Sequence, residues 1–214
     1  MLKTTKLNFG YCLFFLFIQS SFGMEDTQSW TSIGFEKILP HSLTFEFEQE
    51  FRLKDQLTTF SQTFSEVSLS YKVFDGLNIS IPYRYAVFDD KIKQRLSLGV
   101  SYKYSLKPIS LKYRAKLQRS YEKDKIPEQL IRNKFILQYK LSKKIEPFFS
   151  GELFHQSNTN NNQLDEYRVS FGIAVDLPRK TSIKIFYIFK NEDLTKTNPE
   201  KINVFSLSFR FKIK

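Results

Sequence analysis

The chain has 214 residues, a formal net charge of +11, 41% hydrophobic and 16% aromatic side chains, one cysteine and two histidines. A single cysteine excludes a disulfide framework, and His41 and His155, far apart along the chain, argue against a transition-metal site. With seven glycines and no Gly-rich phosphate loop among them, neither a metal nor a cofactor is expected.

The first element is a leader. "MLKTTKLNFG" carries Lys3 and Lys6 without an acid, "YCLFFLFIQ" is an apolar run, and "SFG" supplies small residues at a cleavage spacing. Residues 1–23 are therefore expected to be a secretory signal peptide cut after Gly23, with residues 24–214 as one domain. The apolar run falls short of the roughly 20 residues of a spanning helix. Cys12 lies inside the leader. Without Lys3 and Lys6 the charge is +9, and for an exported chain anionic lipid headgroups are a fitter counterpart than nucleic acid.

After the leader the chain reads as successive strands. The stretch "WTSIGFEKILP", residues 30–40, resembles a strand or a luminal or periplasmic segment, and "SLTFEFEQEFRL" begins the regular series. In "LNISIPYRYAV", Leu77, Ile79, Ile81, Tyr83, Tyr85 and Val87 share one parity, and the polar residues alternate with them. "RLSLGVSYKY", "ISLKYRAKL" and "NVFSLSFRFKIK" repeat the scheme. Period two over nine or ten residues means strands with one apolar and one polar face. Short links at "DG", "LKP", "SKK" and "PRK" alternate with longer ones at residues 54–63, 121–129, 157–163 and 191–201; "DDK" is a shorter member of the second set.

This pattern predicts an all-β fold: an antiparallel transmembrane β-barrel of ten strands, or alternatively twelve, with short periplasmic turns and longer extracellular loops. Its place would be the cell outer membrane and its partners outer-membrane lipid and, during insertion, the barrel-assembly machinery; it is treated as a monomer. A soluble lipid-binding barrel would show the same alternation in the opposite sense.

The polar parity then becomes an interior. Glu46, Glu48 and Glu50 form a column on the first regular strand, and Arg210 and Lys212 on the last have the parity to face it across an antiparallel closure. Elsewhere the expected lumen is basic, with Arg84, Arg95, Arg114, Arg132 and Arg168, joined by Lys103, Lys112, Lys116, Lys134, Lys140 and Lys184. Glu146 and Glu152 are the main acids among them. Such an interior would serve either as a salt-bridged structural filling or as a narrow anion-favouring pore.

Two segments, "RNKFILQYKLSKKIEPFFSGELF" and "LDEYRVSFGIAVDLPRKTSIKIFYIF", resemble the family designated domain of unknown function 2490. The shared features are an early Trp30, "Y-x-L-x-K" before a short turn, "E-x-F" at Glu152 and Phe154, and "R-x-x-x-G" at Arg168 and Gly172. The resemblance implies a Gram-negative envelope barrel without an assigned activity. Separately, "H-x-S-N" at residues 155–158 resembles a signature of the phospholipase A and lipid A deacylase barrels. That resemblance implies Ser157 as nucleophile, His155 as base, Asp165 (or Glu166) as its orienter and Asn158 as oxyanion donor, all at the outer lip.

Overall fold

A computed structural model describes residues 26–158 and 161–213; the expected leader, with Cys12, lies outside them. Among the described residues are eleven strands: β1 (Asp26–Ile38), β2 (Leu43–Lys54), β3 (Thr59–Phe74), β4 (Leu77–Phe88), β5 (Ile92–Leu106) and β6 (Ile109–Glu122), followed by β7 (Glu128–Tyr139), β8 (Ile145–Asn158), β9 (Asn161–Leu177), β10 (Thr181–Glu192) and β11 (Glu200–Ile213). Each pairs with its chain neighbours, and β1 joins β11 to close a barrel.

The alternation in the sequence decides which side faces out. Ile81 is 55% exposed, Leu98 50%, Phe135 63% and Ile185 62%, whereas Ser97, Lys116, Glu152 and Lys190 of the opposite parity are buried. Apolar side chains therefore cover the outside on every wall, and the charges turn toward the axis. A soluble carrier would have the reverse sense, because its apolar face must leave water. Tyrosines stand on this outer surface near both ends of the strands: Tyr71, Tyr102, Tyr104 and Tyr139 at one rim, Tyr85 and Tyr121 at the other. An amphipathic ring at each boundary of an apolar band is the surface of a lipid-embedded barrel.

Three sequence expectations are corrected. Among the described residues the strand count is eleven, because residues 30–40 lie largely in a full strand, β1. The closure is also different. Strand β1 pairs antiparallel with β2 and parallel with β11, in register from Asp26↔Ile202 to Lys37↔Ile213. A parallel seam accommodates an odd number of strands, since the first and last then run in the same direction. The third correction concerns the links. Strands continue into the polar segments, so β2 and β3 are joined by residues 55–58 alone, and β8 and β9 run to Asn158 and from Asn161. Backbone groups in a polar hairpin still pair with one another when they can, and so the expected contrast in loop length is largely lost. We call the rim carrying links 55–58, 89–91, 123–127 and 193–199 the upper rim, and the other the lower rim.

Two glycines hold places that a side chain could not. Gly76 has φ +89° in the turn between β3 and β4. At Gly172 a Cβ would stand 2.3 Å from the Cβ of Phe186 and 2.4 Å from the Ile185 carbonyl, so β10 approaches β9 closely where Phe186 packs against Phe148 inside.

Candidate functional site: a basic cup inside the barrel

The interior is organised around a layer in which guanidinium groups and aromatic rings alternate. Arg84 lies 3.5 Å from the centroid of the Phe64 ring, and Arg52 lies 5.3 Å from the same ring and 3.6 Å from that of Trp30. Arg168 continues the series at 5.1 Å from Trp30 and 4.5 Å from Phe154, and Arg132 ends it 4.4 Å from Phe154. Four cations and three rings thus run from β4, through β3, β2 and β1, and, past β11 and β10, to β9, β8 and β7. Phe64, Trp30 and Phe154 are buried. A flat guanidinium stacks on a ring face and keeps its edge donors for a carboxylate.

Each of the four has such a carboxylate. Arg52 Nε donates to Glu50 at 2.6 Å, Arg84 Nε to Glu66 at 2.7 Å, and Arg168 to Glu166. Arg132 shares Glu152, with Nη2 at 2.7 Å and Nε at 3.0 Å. Glu152 also receives Arg114 Nη2 at 3.2 Å and Lys134 Nζ at 3.3 Å, while only 3% exposed. One buried carboxylate holds three cations from β6 and β7.

Above this layer a cup of about 310 Å³ opens toward the upper rim. Its wall carries seven cationic side chains against three carboxylates, Glu128, Glu166 and Glu192. Besides the four stacked arginines these cations are Lys93, Arg95 and Lys190, of which Lys93 pairs with Glu128 at 2.9 Å and Lys190 with Glu192. Below, a cavity of about 30 Å³ lies beside Glu46, Glu48, Glu66 and Arg210. The glutamate column of β2 meets the last strand across β1: Arg210 stands 3.8 Å from Glu46 and 3.8 Å from Glu48, and both Arg210 (3.9 Å) and Lys212 (3.6 Å) approach Glu36 of β1. Glu36 is not evident from strand parity, which leaves β2 and β11 as neighbours; β1 lies between them. Glu146 on β8, Lys103 on β5, Lys112 on β6 and Lys184 on β10 form no ion pair among the described residues. Lys140 lies in the link after β7.

The hydrolase hairpin is arranged differently from the layer. A bulge between Phe154 and His155 leaves Asp165 without a ladder partner and sets Leu164 opposite His155. Glu166 pairs with Phe154 and turns to Arg168. Ser157 and Asn158 pair in the ladder with Asn162 and Asn161. The Asp165 carbonyl accepts the Leu194 amide at 3.0 Å, and among the described residues no hydrogen bond joins His155, Ser157 and Asp165. Nor does any group of three His, Cys, Asp or Glu among them have the geometry to hold a metal ion.

Residues 27–201 match the family described as "Protein of unknown function (DUF2490)". The chain belongs to the DUF2490 family. No curated protein matches this DUF2490 chain. Among solved structures it is similar to a "Bacterial polysaccharide outer membrane secretin", with a TM-score of 0.52, 9% identity, and coverage of 72% of this chain and 59% of that one. It is also similar to the NanC porin, with a TM-score of 0.51, 9% identity, and coverage of 78% and 87%. The DUF2490 chain thus spans about three-fifths of the first structure's length. At such identity the likeness is one of fold, and the fold is that of outer-membrane barrels.

Proposed function

We propose that this DUF2490 protein resides in the outer membrane as a narrow, anion-favouring conduit, with the guanidinium–aromatic layer as its constriction. The observation that carries the reading is the charge of the cup: seven cations line about 310 Å³, six of them ion-paired, and among the described residues Arg95 has no carboxylate within 4.0 Å, so the wall stays net positive. Cations in a confined, low-dielectric recess focus the field and raise the local concentration of anions. The rings narrow the passage and hold the guanidinium planes in place, so the conductance is small.

Planar-bilayer recording under a KCl gradient tests this. The purified barrel should give small steps whose reversal potential lies toward that of chloride, and exchanging chloride for a large anion should suppress them. A reversal potential on the potassium side would refute the reading. Among the described residues of the β8–β9 hairpin, no contact favours ester hydrolysis as a second reading.

A further inference from the structure

Six of the seven cations lining the cup have a carboxylate within ion-pair distance, at Glu50, Glu66, Glu128, Glu152, Glu166 or Glu192. Arg95 is the exception: among the described residues no carboxylate lies within 4.0 Å of it. Its Nε donates to Ser120 Oγ at 3.0 Å, which leaves the two terminal nitrogens uncommitted among the described residues. The carboxylates of the adjoining wall, Glu122 and Glu128, are both held by Lys93, at 3.8 and 2.9 Å. Ser120 and Gln118 are neutral and buried, and the buried Lys116, next in the same inward row of β6, forms no ion pair among the described residues. Arg132 points one nitrogen at Gln118 Oε1, 3.5 Å away, and divides Glu152 with two other cations. With Lys93, Arg95, Lys116 and Arg132 against Glu122, Glu128 and a Glu152 shared with two further cations, the β5–β7 wall of the cup is a net-positive patch.

We infer that this wall is a binding subsite for the oxyanion of a small solute, a carboxylate or a phosphate, gripped by Arg95 with Arg132 beside it. The inference deepens the conduit reading by naming the class of anion. The free edge of a guanidinium presents two parallel N–H donors, the geometry that receives two oxygens of one group. A cup of about 310 Å³ is at the small end of ligand cavities, so the solute is a small molecule and not a polymer segment. An approaching oxyanion supplies the counter-charge that the fold withholds from Arg95 among the seven cations of the cup, and that difference makes the site selective for one anionic group over a dispersed chloride cloud.

The test is a titration of the purified, detergent-solubilised barrel with sodium phosphate and, separately, sodium acetate, following the arginine Nε–H signals by NMR at constant ionic strength. Saturable shifts of the Arg95 signal are expected. In R95Q, phosphate binding should weaken about tenfold or more, since a charge-assisted pair is removed; R95K, keeping the charge without the fork, should fall between. R95Q strands no carboxylate, so its heat-dependent gel migration should stay that of the folded barrel. Saturation by both ions marks a general oxyanion site, and saturation by phosphate alone a phosphate site; either supports the inference. Identical binding by wild type and R95Q, or shifts that track ionic strength alone, would overturn it. Phosphate binding without conductance would sink the conduit and leave the subsite standing; anion-selective current with unaltered R95Q binding would do the opposite.

Discussion

Glu152→Gln is expected to remove about 3–5 kcal/mol of barrel stability, the cost of breaking a buried ion pair by deleting one partner. Glu152 is the shared acceptor of Arg114, Arg132 and Lys134 and is nearly inaccessible to water. A glutamine would leave three cations around one neutral carbonyl. The effect should appear as a large fall in the urea midpoint of folding into lipid vesicles. Glu152→Asp, which keeps the charge on a shorter arm, should be intermediate. Lys134→Met should be mild, since Arg132 and Arg114 still neutralise the carboxylate. A Glu152→Gln barrel as stable as wild type would mean that hydration, not this carboxylate, balances the wall.

The second large effect concerns the constriction. Trp30→Ala combined with Phe154→Ala removes two of the three rings between the four stacked guanidinium groups. Single-channel conductance should rise severalfold, with the preference for anions kept, because the cations remain. Truncating buried aromatics costs about 3–5 kcal/mol each in a packed core, so folding must be checked on the same sample by heat-dependent migration. The pair Trp30→Leu and Phe154→Leu keeps most of the bulk and should change conductance much less. Folded alanine variants with wild-type steps would place the constriction elsewhere.

Much of this was legible in the amino-acid sequence because a barrel strand has only two faces. Parity alone sets Arg84, Arg132, Arg168 and Glu152 on one side and Ile79, Ile81 and Leu98 on the other, and the structure places them on opposite sides. Parity says nothing of neighbours, however. It could not show that β1 intervenes between β2 and β11, so Glu36 was missed although Arg210 and the glutamate column were both noticed. Inward aromatics were hidden for a related reason. Phe64 and Phe154 look like outward residues by chemistry and are inward by position, and only their spacing from Glu66 and Glu152, two residues away, hints at a stacked charge. Part of that signal lay in the family-like motifs, since "E-x-F" contains Glu152 and Phe154 and "R-x-x-x-G" contains Arg168. The bulge at His155 left no trace in the sequence, because an extra residue changes the facing side chain without changing composition.

The most direct test of the whole account is a spin-label scan along β5, from position 94 to 100, in a Cys12→Ser background that is otherwise free of cysteine. In lipid vesicles the labels at 94, 96, 98 and 100 should collide freely with dissolved oxygen and little with a water-soluble nickel chelate. Labels at 95, 97 and 99 should be protected from oxygen. A two-residue period in this phase is the predicted result. The opposite phase, or no period at all, would contradict a barrel that faces lipid with its apolar parity and encloses its charges.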